Sequence, residues 1–191
     1  MEGYRIPTID PHQYDSLIVD TTAFVSQLNL NAIALQHPDM RFFITDRVLQ
    51  EVQHNKMVEQ MLDLFLSQKI LTVLNPTLKS ITTAQQAATA SGDIGALSAT
   101  DIDLIGLWLD LHNQNPSTQI LLVSDDYSVQ NTCAQLHIPV YMLHKPGIQK
   151  KIYWEIYCPH CYHAFPAKLL GKDCSYCGTR LKRRAKKAKK Q

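Results

Sequence analysis

The sequence predicts an α/β protein with a parallel sheet of about five strands flanked by helices, followed by a small cysteine-bearing segment. Short apolar runs alternate with helical patterns between residues 16 and 141, as in parallel sheets whose strands are joined by crossover helices. Charge is divided unevenly. Residues 1–149 carry 15 Asp/Glu and 7 Lys/Arg, a net −8, whereas residues 150–191 carry 2 and 12, a net +10. An acidic body with a basic end indicates a site built from carboxylates and a separate grip on a polyanion.

The five strands are predicted from short apolar or β-branched runs. They lie at 17–19, 41–44, 70–74, 120–123 and 138–141. Periodicity alone leaves a buried helix open as an alternative for the first run. Pro139 makes the fifth strand an edge strand, because proline cannot donate a ladder hydrogen bond.

The predicted helices follow the strands in turn. Four of them begin at about 21, 46, 82 and 98, and the second has a break near 55 before its pattern resumes. The fifth runs through Val129, Cys133 and Leu136 and ends near His137. Residues 91–95 read as a flexible loop between two of them.

Five acids follow strand ends or begin helices of this predicted sheet. Asp20 follows the first strand, Asp125 and Asp126 follow the fourth, Glu51 lies in the second helix and Asp101 in the first turn of the long helix. Such positions converge on one cleft of an open α/β sheet. Each acid also has a structural alternative: Asp20 and Asp101 can cap helices, and one member of the 125–126 pair can face the cleft while the other caps a helix.

Asp103 is excluded from the same cleft by helix geometry. It lies two residues from Asp101, so the two side chains point about 200° apart. We favour Asp101, whose side of the helix continues through Ile105 and Trp108 toward the predicted core.

Several carboxylates in one cleft call for a cation. At about 4 Å and an effective dielectric near 20, each like-charged pair repels by about 4 kcal/mol. Mg²⁺ and Mn²⁺ prefer oxygen ligands and relieve this repulsion. The chemistry that such cations support is phosphodiester hydrolysis, through water activation and stabilisation of the leaving oxygen.

Two Cys-x-x-Cys pairs separated by twelve residues predict a structural zinc site. The ligands are Cys158, Cys161, Cys174 and Cys177. His160 and His163 could substitute, but four thiolates already close a tetrahedral site. Zinc would supply folding energy that so short a segment lacks, about 10–16 kcal/mol apparent in small zinc peptides. Cys133, in a predicted helix, reads as a buried apolar residue.

The end of the chain carries eight Lys/Arg and no acid after residue 179. A solvated, disordered end is the structural interpretation, and binding to RNA phosphates is the functional one that we favour beside a zinc site. The predicted RNA contacts are Arg180, Lys182, Arg183 and Arg184. Four aromatic residues could stack on bases or form the segment's core: Tyr157, Tyr162, Phe165 and Tyr176.

Four ordered motifs resemble the PIN-domain nucleases. They are Val-Asp-Thr-Thr-Ala-Phe, Thr-Asp-Arg-Val-Leu-Gln-Glu-Val, Ser-Gly-Asp-x-x-x-Leu-Ser-x-Thr-Asp and Val-Ser-Asp-Asp-Tyr-Ser-Val-Gln-Asn. With the cysteine pairs, residues 16–184 resemble the Nob-type endoribonucleases, which mature the 3′ end of small-subunit ribosomal RNA, in their compact archaeal form. The N-terminal extension and Gly106-Leu107-Trp108 depart from that pattern.

The resemblance implies a site and a domain plan. The catalytic acids would be Asp20, Glu51, Asp101 and the Asp125–Asp126 pair, with Asp20, Asp101 and Asp126 holding Mg²⁺ or Mn²⁺. The plan is an extension at 1–15, a PIN-like nuclease domain at 16–146, a linker at 147–152, a zinc ribbon at 153–184 and a basic tail at 185–191.

The implied function is metal-dependent cleavage of single-stranded precursor RNA, with the precursor of the small ribosomal subunit as partner. The alternatives are a toxin-like PIN ribonuclease acting on transfer or messenger RNA, which usually lacks a zinc ribbon, and a non-catalytic RNA-binding assembly factor. No apolar stretch approaches the roughly 18 residues of a membrane span, and the N-terminus lacks a signal pattern. We therefore expect a cytoplasmic protein without a membrane partner.

Overall fold

The computed structural model describes residues 13–25, 30–52, 56–143, 147 and 150–186. Residues 1–12 of the predicted N-terminal extension (1–15) and the last five residues of the predicted tail lie outside the described residues. So does the predicted helix break near residue 55. Among the described residues, no helix combines the length and apolarity needed to cross a bilayer.

A five-stranded parallel sheet forms the centre of the larger domain, as predicted. Its strands are β1 (Ser16–Val19), β2 (Arg41–Ile44), β3 (Leu71–Val73), β4 (Ile120–Val123) and β5 (Val140–Tyr141). The order is β3-β2-β1-β4-β5, so β5 is an edge strand and β1 lies at the centre. All four residues of β1 are buried, as in a strand covered on both faces. Val19 pairs with Val123, which sets the residues after β1 and β4 side by side.

Seven helices connect and cover the strands in the described residues. They are α1 (Thr21–Val25), α2 (Leu30–Gln36), α3 (Asp46–Val52), α4 (Lys56–Ser67), α5 (Leu78–Ser91), α6 (Ala99–Gln114) and α7 (Tyr127–Gln135). Helix α5 begins four residues before the predicted start, because the Thr77 hydroxyl caps it by accepting a hydrogen bond from the Ser80 backbone N–H.

The segment after α5 is a loop, as predicted, but its first residues are packed into a corner of the structure. Gly92 ends α5 in the left-handed conformation, with φ +85°. Ser91 and Asp93 on either side are fully buried. Local composition suggested a loop, whereas contacts from distant parts of the chain bury it.

Gly106 and Trp108 have packing reasons for departing from the pattern expected of the family. A Cβ added at Gly106 would lie 3.0 Å from the Pro76 Cβ, so the glycine lets the chain before α5 approach α6. Trp108 is buried and its indole N–H donates to the Ile120 carbonyl at 2.9 Å. The indole therefore ties α6 to the start of β4.

The cysteine-bearing segment folds as a three-stranded antiparallel sheet, which we call the ribbon. Its strands are β6 (Trp154–Tyr157), β7 (Ala164–Phe165) and β8 (Lys182–Ala185), in the order β7-β6-β8. The apolar centre of the ribbon is small: Ile156, Leu181, Cys158 and Cys174 are its buried members. A core of this size needs additional stabilisation, as expected of a metal-supported fold.

Candidate active site

Asp20 lies directly after the central strand and is 7% exposed. Its Oδ1 accepts from the Thr21 backbone N–H at 2.6 Å, and its Oδ2 accepts from the hydroxyls of Ser124 at 2.9 Å and Thr22 at 3.3 Å. Burial raises the pKa of Asp20, and the negative charge of Asp101 acts in the same direction, against the hydrogen bonds. Asp20 is thus an acid held in place by three donors at a site that disfavours its charge.

Glu51 is held between two helices other than its own. Its Oε2 accepts from the Thr21 hydroxyl at 2.8 Å, and its Oε1 accepts from the Thr100 hydroxyl. Thr21 begins α1 and Thr100 lies in the first turn of α6, so Glu51 of α3 connects three helices at one point. The two hydroxyls fix the carboxylate although the residue as a whole is exposed.

Asp101 lies close enough to Asp20, Glu51 and Asp126 for its charge and theirs to act on one another. Its carboxylate accepts from the Ser98 backbone N–H at 2.7 Å and the Ser98 hydroxyl at 2.8 Å, completing the capping box of α6. Burial raises the pKa of Asp101, with the charges of Asp126 and Glu51 acting in the same direction. Capping and proximity to the other acids therefore occur together in one residue.

The two aspartates after β4 have different environments. Asp126 caps α7 by accepting from the backbone N–H groups of Ser128 at 2.5 Å and Val129 at 3.4 Å, and its charge also reaches Asp101. Asp125 is buried, and its Oδ1 accepts from the Leu143 backbone N–H at 2.7 Å. Asp126 is therefore the member of the pair that caps α7, and which of the two faces the cleft stays a prediction.

Asp103 diverges from Asp101 as helix geometry predicts. It forms an ion pair with Arg47 of α3, with Nε to Oδ2 at 2.6 Å. This pair sets Asp103 apart from the other acids and makes it a suitable reference for experiments.

Four acids thus surround one region at the carboxyl edge of the sheet, and we call them the acidic cluster: Asp20, Glu51, Asp101 and Asp126. In the described part of the chain, no three of their carboxylates have oxygens that all lie within 4.8 Å of one another. This spacing is wider than one ion's full ligand shell. Mg²⁺ could bind here only by taking one or two of the carboxylates directly and keeping several of its waters.

The four predicted zinc ligands do converge. Their sulfur atoms all lie within 4.8 Å of one another. The Sγ atoms of Cys158 and Cys177 are 3.4 Å apart, and those of Cys161 and Cys174 are 3.5 Å apart. Zinc–sulfur bonds of about 2.3 Å in a tetrahedron place sulfurs about 3.8 Å apart, so the chemistry and spacing of this set fit zinc.

Three of the four predicted RNA contacts are exposed, and two of the four, Arg183 and the exposed Arg184, pair with acids of the protein. Arg180 and Lys182 are exposed. Arg183 contacts Asp93 of the larger domain, with Nη1 3.3 Å from Oδ1. Arg184 pairs with Glu155 at 2.7 Å inside the ribbon. The pattern of basic residues could not separate these environments.

Sequence reasoning missed the polar residues that hold the acids and join the two domains. Ser124, Thr100, Asp93 and Asn131 each lie inside one of the four motifs, but were not assigned a role. Asp93 is fully buried and accepts from the Asn131 amide at 2.5 Å, which no local pattern indicates. The available signal was the acid in the motif Ser-Gly-Asp. A carboxylate buried next to a helix end costs free energy unless it has a partner, so its partner could have been sought.

The parallel sheet and the acidic cluster at its carboxyl edge place the chain among α/β proteins with an acidic site for divalent cations. The sequence profile described as the PIN domain of ribonuclease matches residues 17–111, which include three of the four acids of the cluster. The chain belongs to the PIN-domain ribonuclease family.

Curated relatives carry two different names. The chain is 32% identical to "Endoribonuclease Nob1" of Methanothermobacter thermautotrophicus over 60% of its own length and 65% of that protein. It is 31% identical to "Ribonuclease VapC1" of Thermoplasma acidophilum over 90% of its length and 79% of that protein. "Endoribonuclease Nob1" of Pyrococcus abyssi is 27% identical over 87% of the chain and 91% of that protein. The match to the Methanothermobacter protein thus spans less than two thirds of that relative.

Proposed function

We propose that this ribonuclease is a divalent-metal-dependent endoribonuclease that cleaves single-stranded precursor RNA to form the 3′ end of small-subunit ribosomal RNA. The observation that carries the proposal is the acidic cluster at the carboxyl edge of the sheet, followed in the same chain by a four-cysteine ribbon. This combination matches the resemblance to Nob-type enzymes, and two relatives named Nob1 align with the chain, over 60% and 87% of its length.

The cluster residues would divide the work of binding Mg²⁺ or Mn²⁺. When bound, such cations supply charge neutralisation at the phosphate and make water nucleophilic. Desolvation and neighbouring negative charge raise the pKa of Asp20 and Asp101, and a bound cation would favour the charged form of both carboxylates. Asp126 lies at the N-terminus of α7, where the helix dipole favours its negative charge. Glu51 is oriented by Thr21 and Thr100.

Asp125 has a structural role in this proposal, unlike the other acid of its pair. Its carboxylate accepts from the backbone that follows β5 and so anchors the edge strand. The catalytic role that the family resemblance implied for the pair is therefore assigned to Asp126 alone.

The ribbon would bind zinc and supply part of the RNA grip. Arg180, Lys182 and Lys186 are exposed and basic. Three more lysines follow in the sequence. Tyr162 and Tyr176 are also exposed, with Tyr176 stacked on His163 at 4.1 Å between ring centroids. Cations for phosphates and rings for bases are the usual parts of a single-strand binding surface.

Cleavage mapped to the nucleotide tests the proposal. The substrate is a precursor fragment spanning the mature 3′ end, in single-turnover conditions with Mn²⁺ or with chelator. We expect one metal-dependent cut at the mature end. We expect Asp20→Asn and Asp101→Asn to bind RNA but cut at least 10²-fold more slowly, because each removes an acid at the proposed metal site. Asp103→Asn is the matched control and should cut at nearly the wild-type rate.

Transfer or messenger RNA is the competing substrate class. The match to the protein named VapC1 covers 90% of the chain, so it runs past β5 into the ribbon. A ribbon therefore does not by itself separate the two names. Equal concentrations of the precursor fragment, transfer RNA and messenger RNA should be compared. Preferential cutting of the last two would replace the ribosomal proposal with the toxin-like one.

A further inference from the structure

One arginine of the ribbon reaches into the larger domain beside the acidic cluster. Arg183 lies in β8, and its guanidinium lies 4.5 Å from the centre of the Trp154 ring. Its Nη1 is 3.3 Å from Asp93 Oδ1 and 3.4 Å from the Ser128 hydroxyl. The side chain is 31% exposed, so most of it is enclosed between the two domains.

Asp93 is a buried acid that receives hydrogen bonds from the larger domain. Among the described contacts, its oppositely charged partner is Arg183 of the ribbon. Asp93 is 0% exposed. The Asn131 amide donates to its Oδ2 at 2.5 Å and to the Ile152 carbonyl at 2.7 Å, while Asn131 Oδ1 accepts from the Ile152 N–H at 2.8 Å. The ribbon thus provides the charge that a buried carboxylate needs.

The same contact leads directly to the acidic cluster. Ser128, whose hydroxyl faces Arg183, donates its backbone N–H to Asp126 Oδ1 at 2.5 Å. Asp126 and Ser128 form the cap and first turn of α7. Any shift of Ser128 therefore moves a donor that orients Asp126.

Close backbone contacts fix the ribbon against the corner that carries Asp93. A Cβ at Gly92 would lie 2.5 Å from the Trp154 carbonyl oxygen, and one at Gly95 would lie 2.5 Å from the Ala167 carbonyl oxygen. At these two positions the ribbon and the corner lie too close together for an added side-chain carbon. Arg183 is consequently held in a set position relative to α7.

We propose that Arg183 is a positioning residue for the nuclease site: by holding Asp93 and Ser128 it sets the position of Asp126, and so links the folded ribbon to the cation affinity of the acidic cluster. The inference rests on the proposed function, because it takes the cluster to be the divalent-cation site. It assigns to Arg183 a role within the protein in place of the RNA contact predicted from the basic run.

The test is direct binding of Mn²⁺ to the full chain, with free Mn²⁺ counted by electron paramagnetic resonance. Arg183→Met keeps a long side chain against Trp154 and removes the donors. We expect its Mn²⁺ affinity to fall about tenfold, the lower end of the range for groups that orient metal ligands. Arg184→Met is the matched control: it is the next residue on the strand and carries the same charge. Its partners, Glu155 and Tyr157, lie inside the ribbon, so its Mn²⁺ affinity should equal that of wild type.

RNA binding at several salt concentrations provides the second measurement. We expect Arg183→Met to leave the slope of log K against log salt unchanged. Wild-type Mn²⁺ affinity in Arg183→Met, together with a slope reduced by about 0.7, would overturn the inference and identify Arg183 as a phosphate contact. Tighter Mn²⁺ binding would also overturn it, because it would mean that the arginine acts only by its charge.

A double variant covers the case in which Arg183→Met alone does not fold. Asp93→Asn with Arg183→Met removes the uncompensated buried charge but still lacks the contact to Ser128. We expect weakened Mn²⁺ binding to persist, and wild-type affinity in the double variant would refute the positioning role. Failure of the wild-type protein itself to bind Mn²⁺ would instead refute the proposed cation site and, with it, this inference.

Discussion

Compared with wild type, the Asp20→Asn variant should be more stable in the metal-free protein and less stable in the metal-loaded protein. In the metal-free protein the ionised Asp20 is disfavoured, since burial and the charge of Asp101 raise its pKa despite three hydrogen bonds. A carboxyl group whose pKa is raised on folding stabilises the fold below its ordinary pKa and loses that contribution as pH rises through the folded-state pKa. At pH 8, Asp20→Asn should therefore increase the free energy of unfolding.

The expected sizes follow from the contacts of Asp20. Asparagine has the same shape without the buried charge. Its oxygen can still accept from the Thr21 N–H, and its NH₂ would donate to the Ser124 and Thr22 hydroxyls, which now donate to Asp20. We expect a net gain of about 1 kcal/mol. For a chain of 191 residues this raises the melting temperature by about 3 °C. Mn²⁺ at 100 times its dissociation constant stabilises wild type by about 2.7 kcal/mol, or about 8 °C, and should stabilise the variant little. The variant should therefore melt above wild type in chelator and below it in Mn²⁺.

Thermal unfolding followed by circular dichroism measures this crossover. The advantage of Asp20→Asn in chelator should be smaller at pH 5 than at pH 8, because more of the wild-type Asp20 is protonated at the lower pH. Asp103→Asn is the control: it breaks the ion pair with Arg47 and should retain the full response to Mn²⁺. A wild-type response to Mn²⁺ in Asp20→Asn, or destabilisation by the substitution in chelator, would show that Asp20 is not in a cation site.

Three further predictions concern the ribbon and its junction. Purified protein should contain one zinc ion per chain. Cys174→Ser should abolish zinc binding and unfold the ribbon, while circular dichroism still shows the helices of the larger domain. A zinc-free chain with a folded ribbon would contradict this. Deleting residues 187–191 removes three lysines and should lower the salt slope of RNA binding by up to about 2 without slowing cleavage at saturating RNA; an unchanged slope would show that this end does not contact phosphate. Gly92→Ala should destabilise the protein by about 2–4 kcal/mol, because a left-handed backbone and a clash with Trp154 act together. Gly178→Ala, at φ +74° with nothing within 4 Å of the added carbon, should cost only the backbone strain of about 1 kcal/mol. If chemical denaturation showed that the two variants lose the same free energy of unfolding, the contact between Gly92 and the ribbon would be contradicted.

The structure also restricts how the basic end can be shortened. Strand β8 is Lys182–Ala185, and Leu181 before it is one of the buried residues of the ribbon. Deleting residues 180–191 would remove both β8 and Leu181, and would therefore unfold the ribbon and abolish any RNA binding by it. Cutting after Lys186, whose N–H donates to the Tyr153 carbonyl at 2.7 Å, leaves the sheet complete.

The sequence by itself determined the elements whose signals are local. Apolar runs placed β2 and β4 to the residue, because strands buried on both faces are mostly apolar: β4 is buried throughout, and β2 everywhere except at Arg41. The two Cys-x-x-Cys pairs identified the sulfur cluster, since knuckle spacing is a short-range property. The positions of Asp20 and Asp101 relative to strand and helix ends were likewise readable from neighbouring residues, and so was the divergence of Asp103.

Only the tertiary structure decided what depends on contacts between distant parts of the chain. The sequence could not show that Asp126 is the member of its pair that caps α7 while its charge reaches Asp101, because the direction of a side chain after a strand depends on what packs against it. It predicted a flexible loop at residues 91–95, but not the contacts with the ribbon that pack the first residues of that loop into a corner. Arg183 looked like one of eight similar basic residues. Its enclosure beside Asp93, which lies 90 positions away in the chain, arises only when the ribbon is seated on the larger domain. A buried charge must find its partner in three dimensions, and no local pattern records which partner that is.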